Sequence, residues 1–260
     1  WTVIKRLSAK QWLLLILAGA FLGGHFAVWI TSLEYTSVAS SVVFVTTAPL
    51  WVALLSPIIL KERLTRGIFL GLVISLLGSV IVGLSSNCSI TRDGLQCSGL
   101  EDLISNEKSL GNFMALAGAF LSAGYLLVGR KARVTMDLPT YTYLVYSIAA
   151  LVLVIAVVLT GVRVTGYSSQ SYLWLLALAI LPQLVGHSAF NWALKYLRAA
   201  YVSIALLGEP VGTIILAYLF LKEKPAMLEI AGGLLILAGI AIATLRPENS
   251  ERIEESPAAV

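Results

Sequence analysis

Glu209 is the one carboxylate set deep inside an apolar run, about nine residues from the start of a span over residues 200 to 221. At about 1.5 Å rise per residue that is roughly 14 Å into the membrane. An ionised side chain there costs about 2.5 to 3.5 kcal/mol on insertion scales, so the acid should face a cavity or carry a proton. Its chemistry would be to hold a proton or the cationic group of a substrate. The competing reading is a neutral acid, tied to a hydroxyl or a histidine, that only locks two helices. Pro210 follows and cannot donate to the Leu206 carbonyl, which predicts a helix break beside the acid, and Pro49 occupies the corresponding place earlier in the chain. Gly208 and Gly212 let a neighbouring backbone approach.

His25 and His187 are the only histidines, and each follows a glycine. Imidazole titrates near neutral pH, so a proton relay with Glu209 is one reading. A neutral ring satisfied by a neighbouring helix is the other. Tyr125, Tyr146, Gln183, Asn191 and Trp51 add a few polar anchors to apolar faces, which suits an amphipathic small molecule. Trp29 and Trp192 lie nearer helix ends, where indoles commonly anchor at the headgroup level, and they carry little weight here. Two distant histidines and two loop cysteines make no metal site, and nothing calls for a cofactor.

The elements that position these residues are apolar spans at 12–33, 38–60, 67–84, 110–129, 140–160, 172–194, 200–221 and 226–244. With 58% hydrophobic residues, 12% charged residues and a mean hydropathy of +0.88, the solvent is lipid. Each span is long enough for the roughly 30 Å hydrocarbon core. Strands are a poor alternative for these spans, because the runs do not alternate and an open sheet edge would leave backbone groups unbonded in lipid. The fold class is therefore all-α integral membrane, and membrane lipid is an obligate neighbour. The net charge of +4 and pI near 9.1 reflect basic loops rather than nucleic-acid binding.

Residues 32–83 recur at 193–244, shifted by 161. Pro49 answers to Pro210, Lys61-Glu62 to Lys222-Glu223, Gly71 to Gly232, and Gly78 to Gly239. Placing the N-terminal segment inside puts thirteen of the 18 Lys and Arg residues on the inner side, so both ends of the chain are expected in the cytoplasm. Glu34 and Lys195 then fall on opposite faces, and the repeats are inverted. Two helices precede the repeated part in the second copy. Subtracting 161 from 110 places their counterparts about 51 residues before residue 1, which is Trp and not Met. Eight of ten helices, in two units of five, are expected to be present in this chain.

Trp12 entering an apolar helix, Leu33-Glu34-Tyr35-Thr36-Ser37, the Pro49 helix, Lys61-Glu62-Arg63-Leu64 and the Gly71 to Gly78 helix form an ordered series. Ala193-Leu194-Lys195-Tyr196, Glu209-Pro210, Lys222-Glu223-Lys224 and Gly232-Gly233 to Gly239 repeat it. In this series the chain resembles the drug/metabolite transporter superfamily, specifically its ten-helix EamA-domain exporters, over nearly all of residues 7–246. The resemblance implies secondary transport, usually efflux of amino acids, other metabolites or toxic organic compounds, through a cavity between two bundles. The chain departs from that family in lacking the first two helices and in having a long loop.

The expected organisation is a remainder of a first repeat (1–84), an external loop (85–109), a second repeat (110–246) and a disordered cytoplasmic tail (247–260). A disulfide between Cys88 and Cys97 is expected if both meet an oxidising exterior, as in the plasma (inner) membrane. Proton coupling fits Glu209. A membrane-embedded enzyme acting on lipid or peptide is the alternative class, disfavoured because no His-Glu-x-x-His, paired intramembrane aspartates or Gly-x-Ser-x-Gly occurs. A sugar-phosphate or nucleotide-sugar exchanger of the same superfamily is the weaker transport alternative, since Lys195 and Arg198 lie near a membrane edge. Glu62 and Glu223 are expected to form local ion pairs that fix their turns.

Overall fold

Serine, threonine and aspartate set the helix starts. Ser8, Ser37, Thr65, Asp137 and Ser168 each accept a backbone N–H from the first turn that follows. Asp137 lies outside the spans, and the Thr140 N–H holds its carboxyl below the usual carboxylate range. The computed structural model describes residues 7–85, 88–91, 94–97, 108–222 and 224–245. The first six residues, Glu223 and the tail expected to be disordered lie outside the described residues.

The helices are α1 (Ala9–Tyr35), α2 (Val38–Val45), α3 (Ala48–Ile59), α4 (Arg66–Leu84), α5 (Ser109–Arg133), α6 (Leu138–Thr160), α7 (Ser169–Leu178), α8 (Ser188–Tyr196), α9 (Ala199–Leu206), α10 (Glu209–Leu216) and α11 (Met227–Leu245). A π-helical stretch, Ala179–His187, joins α7 to α8, and another, Ala217–Leu221, extends α10. Among the described residues they make eight helical units of 19 to 28 residues that are long and apolar enough to cross a membrane. The chain is an all-α integral membrane protein. Between α4 and α5, β1 (Cys88–Thr91) and β2 (Gly94–Cys97) pair antiparallel, and Cys88 and Cys97 are joined by a disulfide.

The duplication is visible in the element boundaries. Val38, Ala48 and Arg66 start α2, α3 and α4; Ala199, Glu209 and Met227 start α9, α10 and α11, each 161 residues later. Lys61 and Lys222 share even the left-handed backbone, with φ of 58° and 59°. The copies differ at the first helix, where α1 has 27 residues and its counterpart, Ser169–Tyr196, has 28. One extra residue in an α-helix is absorbed as a π turn, and the Ala179–His187 stretch is that turn.

α1 packs along α5 and α6, and α4 along α11. In the second contact Gly71 meets Gly239, and Gly78 meets Gly232. A Cβ on Gly239 would lie 2.6 Å from the Gly71 carbonyl, and one on Gly232 2.7 Å from that of Gly78. The two helices therefore run antiparallel at backbone contact. The repeat offset exchanges the two glycine contacts, so an axis perpendicular to both helices, in the plane of the membrane, relates the copies.

The inversion also separates the two ends of the bundle. Thr36, beside Glu34, donates to Asn112 near the start of α5 (2.7 Å), whereas Arg130 near its end donates to the Lys195 carbonyl (2.9 Å). These contacts lie about 18 residues apart along α5, roughly 27 Å. Glu34 and Lys195 are thus at opposite ends.

At the end holding Lys195, the expected local role of Glu62 is corrected. Its carboxylate accepts from Arg130 Nε (2.9 Å) and from the Ala199 N–H (3.2 Å). Both partners belong to the other repeat, because α9 has Arg198 where α2 has the capping Ser37, and its first turn takes its acceptor from Glu62. Arg133, one of the thirteen cations that the sequence puts on the inner side, is 2% exposed and donates to the Asn191 carbonyl (2.9 Å) and to that of Met136.

Candidate functional site

Two membrane spans tighten at mid-length. At Thr47 and Leu207–Gly208 the backbone donates to the carbonyl three residues back, as Thr47 N–H to Phe44 (3.2 Å) and Gly208 N–H to Ala205 (2.9 Å). Pro49 and Pro210 follow within the first turn of α3 and α10, where a missing N–H costs nothing. The break therefore precedes each proline instead of coinciding with it, and the prolines start the second half-helices. Glu209 is the first residue of α10, where the positive end of the helix dipole favours negative charge.

A cavity of about 150 Å³ lies against both breaks. Its walls come from equivalent positions of the two copies. Val45, Thr46 and Ala48 face Leu206, Leu207 and Glu209, and Phe26 and Trp29 have His187 and Phe190 as their counterparts. Ser122, Tyr125 and Leu126 of α5 close one side. The cavity thus straddles the axis relating the repeats, and its chemistry is what breaks the symmetry. The carboxylate exists in one copy only, because Ala48 stands where the second copy has Glu209.

The polar groups on this wall are arranged unequally. Among the described residues the Glu209 carboxylate makes no hydrogen bond or ion pair, and the residue is exposed. His25 is 8% exposed, and its Nδ1 lies 2.9 Å from the Gly118 carbonyl. A carbonyl can only accept, so Nδ1 carries the proton and Nε2 holds the lone pair of the neutral ring. The ring stacks on Trp29 at 5.6 Å. His187 meets Phe26 edge-on at 5.5 Å, and among the described residues its buried Nδ1 has no hydrogen-bond partner, nor has Trp29 Nε1. No direct hydrogen bond among the described residues joins either imidazole to Glu209. Any proton passing between them would travel through water or substrate.

The other residues singled out in the sequence divide. Tyr125 lines the cavity and donates to Asn191 Oδ1 (2.7 Å), while Asn191 Nδ2 donates to Tyr146 (3.1 Å), which contacts Ser188 (3.2 Å). Asn191, fully buried, and Tyr146 therefore support the wall from behind. Trp51 packs against Phe120 at 5.5 Å, away from the cavity, and Gln183 is half-buried in the π-helical stretch. Pro49 borders the cavity, Pro210 does not, and Cys88 and Cys97 belong to the distant hairpin. Trp29, discounted in the sequence as a headgroup anchor, proves to be a wall residue. Phe190, Thr46, Ser122 and Ser203 were not picked out at all. The signal for Phe190 was available, since it is Trp29 shifted by 161.

The profile of the EamA-like transporter family matches residues 1–84 and 109–245. The chain belongs to this family. Its relatives include an uncharacterized transporter of Archaeoglobus fulgidus, 23% identical over 95% of this chain and 82% of that protein. The uncharacterized transporters YdfC and YyaM of Bacillus subtilis are 23% and 24% identical, covering 90% and 92% of this chain and 72% and 74% of their own lengths. A solved crystal structure with 19% identity superposes with a TM-score of 0.74, covering 92% of this chain and 77% of the other, and shares the fold. The EamA match omits the disulfide hairpin, which lies between the two matched segments. The protein is thus a multi-pass membrane transporter of the EamA type.

Proposed function

We propose that this EamA protein is a secondary carrier that moves small metabolites, such as amino acids or amphipathic organic compounds, outward by exposing one central cavity alternately to either side. The observation that carries this reading is the placement of the cavity. It lies mid-span, on the axis relating two inverted units, and is lined by matching residues from both. Rocking one unit against the other around a fixed site is the motion such symmetry permits. Glu209 takes a proton or the cationic group of the substrate, Trp29 and Phe190 hold the apolar body, and the orphaned Trp29 N–H and His187 Nδ1 supply directional contacts. The end carrying Lys61, Arg130 and Arg198 faces the cytoplasm by the positive-inside rule. Residues 1–84 and 110–246 act as the two moving units, separated by an external loop at 85–109.

Among the described residues the cavity wall contains a carboxylate and no Lys or Arg, which speaks against a sugar phosphate as substrate. The test is pH-gradient-driven flux in vesicles containing the full chain. Glu209→Gln is expected to abolish the dependence of flux on pH. Unchanged pH-dependent flux would remove the acid from the coupling step.

A further inference from the structure

A second concavity, of about 420 Å³, opens at the basic end, between the C-terminal ends of α3 and α5. Its polar wall holds Lys61, Arg130, Lys131 and Glu62, and its apolar flank holds Ile59 and Val134. Arg130 is already committed, to Glu62 and to the Leu194 and Lys195 carbonyls. Lys61 and Lys131 are exposed and have no acidic partner among the described residues. The groove therefore presents two unneutralised ammonium groups.

Both lysines sit at helix C-terminal ends, where the dipole already stabilises a cation. One further observation points beyond that. The groove is flanked by Ile59 at 38% and Val134 at 60% exposure, apolar side chains that the protein leaves uncovered. Paired cations under an apolar lip at the membrane boundary match a phosphate that carries hydrocarbon with it.

We infer that this groove binds the headgroup phosphate of an anionic membrane lipid, with Lys61 and Lys131 on the phosphate and Ile59 and Val134 along the first acyl carbons. The site is separate from the transport cavity and does not depend on what that cavity carries. It adjoins the Glu62–Arg130 pair, so an occupying lipid would lie against the contact that joins the two repeats at this end.

The test uses the full chain purified in detergent, with binding of phosphatidylglycerol, phosphatidylcholine and inorganic phosphate measured separately. Phosphatidylglycerol is expected to bind at least tenfold more tightly than phosphatidylcholine. Lys61→Gln with Lys131→Gln should weaken it about thirtyfold, at the usual contribution of a basic residue near an anionic surface. Lys61→Arg with Lys131→Arg should retain it, as should Lys222→Gln at the opposite end. If the double Gln variant fails to fold, Lys131→Gln alone, at an exposed position in the last turn of α5, should still weaken binding severalfold. Equal affinity for both lipids, equal binding by the Gln and wild-type proteins, or inorganic phosphate alone competing at comparable concentration would overturn the lipid assignment.

Discussion

Ser75 Oγ donates to the carbonyl of Ile236 at 3.3 Å, and these two residues are each other's counterparts in the repeat, 161 positions apart. A residue that touches its own equivalent lies on the axis of symmetry. The four glycines around it, Gly71, Gly78, Gly232 and Gly239, bring the two backbones together on either side of that point. A Cβ on Gly78 would stand 2.5 Å from the Gly232 carbonyl, so the seam has no room for one. Gly78→Ala and Gly232→Ala are each expected to destabilise the bundle by about 1 to 3 kcal/mol, the usual cost of overpacking. Ser75→Ala removes a single interhelical bond and should cost about 0.6 kcal/mol. Thermal unfolding in detergent checks the order; a serine variant worse than either glycine variant would place the seam's stability in the hydrogen bond.

At the basic end, Glu62 links α5 and α9 of the second repeat to one loop of the first. Its pair with Arg130 is part-buried, at 15% and 19% side-chain exposure, and Arg198 Nη1 adds a bond to the Arg63 carbonyl (3.2 Å). A double-mutant cycle over Glu62→Ala and Arg130→Ala is expected to give a coupling of about 0.5 to 3 kcal/mol, as for residues sharing one network. Additive losses would show that the two side chains act separately.

The sequence made the eight spans legible because apolar length is read directly, and the inversion legible because charge changes sign between Glu34 and Lys195. The 161-residue offset was equally plain, and it carries the boundaries of α2 to α4 onto those of α9 to α11. The cavity was only partly legible. Glu209 and Tyr125 stand out by type, but the burial of Arg133 and the wall position of Trp29 depend on how far each helix rotates, which single-residue hydropathy does not encode. The tightened turns before Pro49 and Pro210 were foreseen as breaks at the prolines themselves. The π stretch at Ala179–His187 follows from one inserted residue, a difference too small to notice where the two copies share few identities.

Asn191 is fully buried and serves two tyrosines with its side chain and Arg133 with its carbonyl. Asn191→Leu leaves the Tyr125 hydroxyl without its acceptor, and an unpaired buried polar group costs about 1 to 3 kcal/mol. The backbone bond to Arg133 survives the substitution, so the helix should hold while the Tyr125 ring loses its anchor. The expected result is a raised KM with a smaller change in maximal flux. Loss of maximal flux at unchanged KM would assign the network to the conformational step instead.

The disulfide hairpin offers a test of orientation in intact cells. Cys88 and Cys97 are bonded to each other, and among the described residues no free thiol exists. An impermeant maleimide should label nothing before reduction and should label both cysteines from outside after it, if the end opposite Lys61 and Arg130 is external. Labelling confined to inverted vesicles would reverse the orientation derived from the basic loops.

Ala48 and Glu209 are equivalent positions on one cavity wall, and the symmetry that pairs them makes the location of the acid interchangeable in principle. Each is the first residue of a half-helix, Ala48 of α3 and Glu209 of α10, so a carboxylate at either would meet the same favourable dipole. Glu209→Ala should abolish pH-dependent flux, and adding Ala48→Glu should restore part of it, because the new acid enters the same cavity from the other repeat. Without Glu209→Ala, Ala48→Glu alone would place two carboxylates around about 150 Å³. Like charges at close range disfavour double ionisation, so one of the pair would hold its proton to a higher pH. The single variant is therefore expected to shift the pH profile of flux upward, and the double variant to move it back toward the wild-type position. Failure of Ala48→Glu to restore any flux, in a protein that unfolds at the wild-type temperature, would show that proton coupling requires the surroundings of the second repeat and not merely an acid on the shared wall.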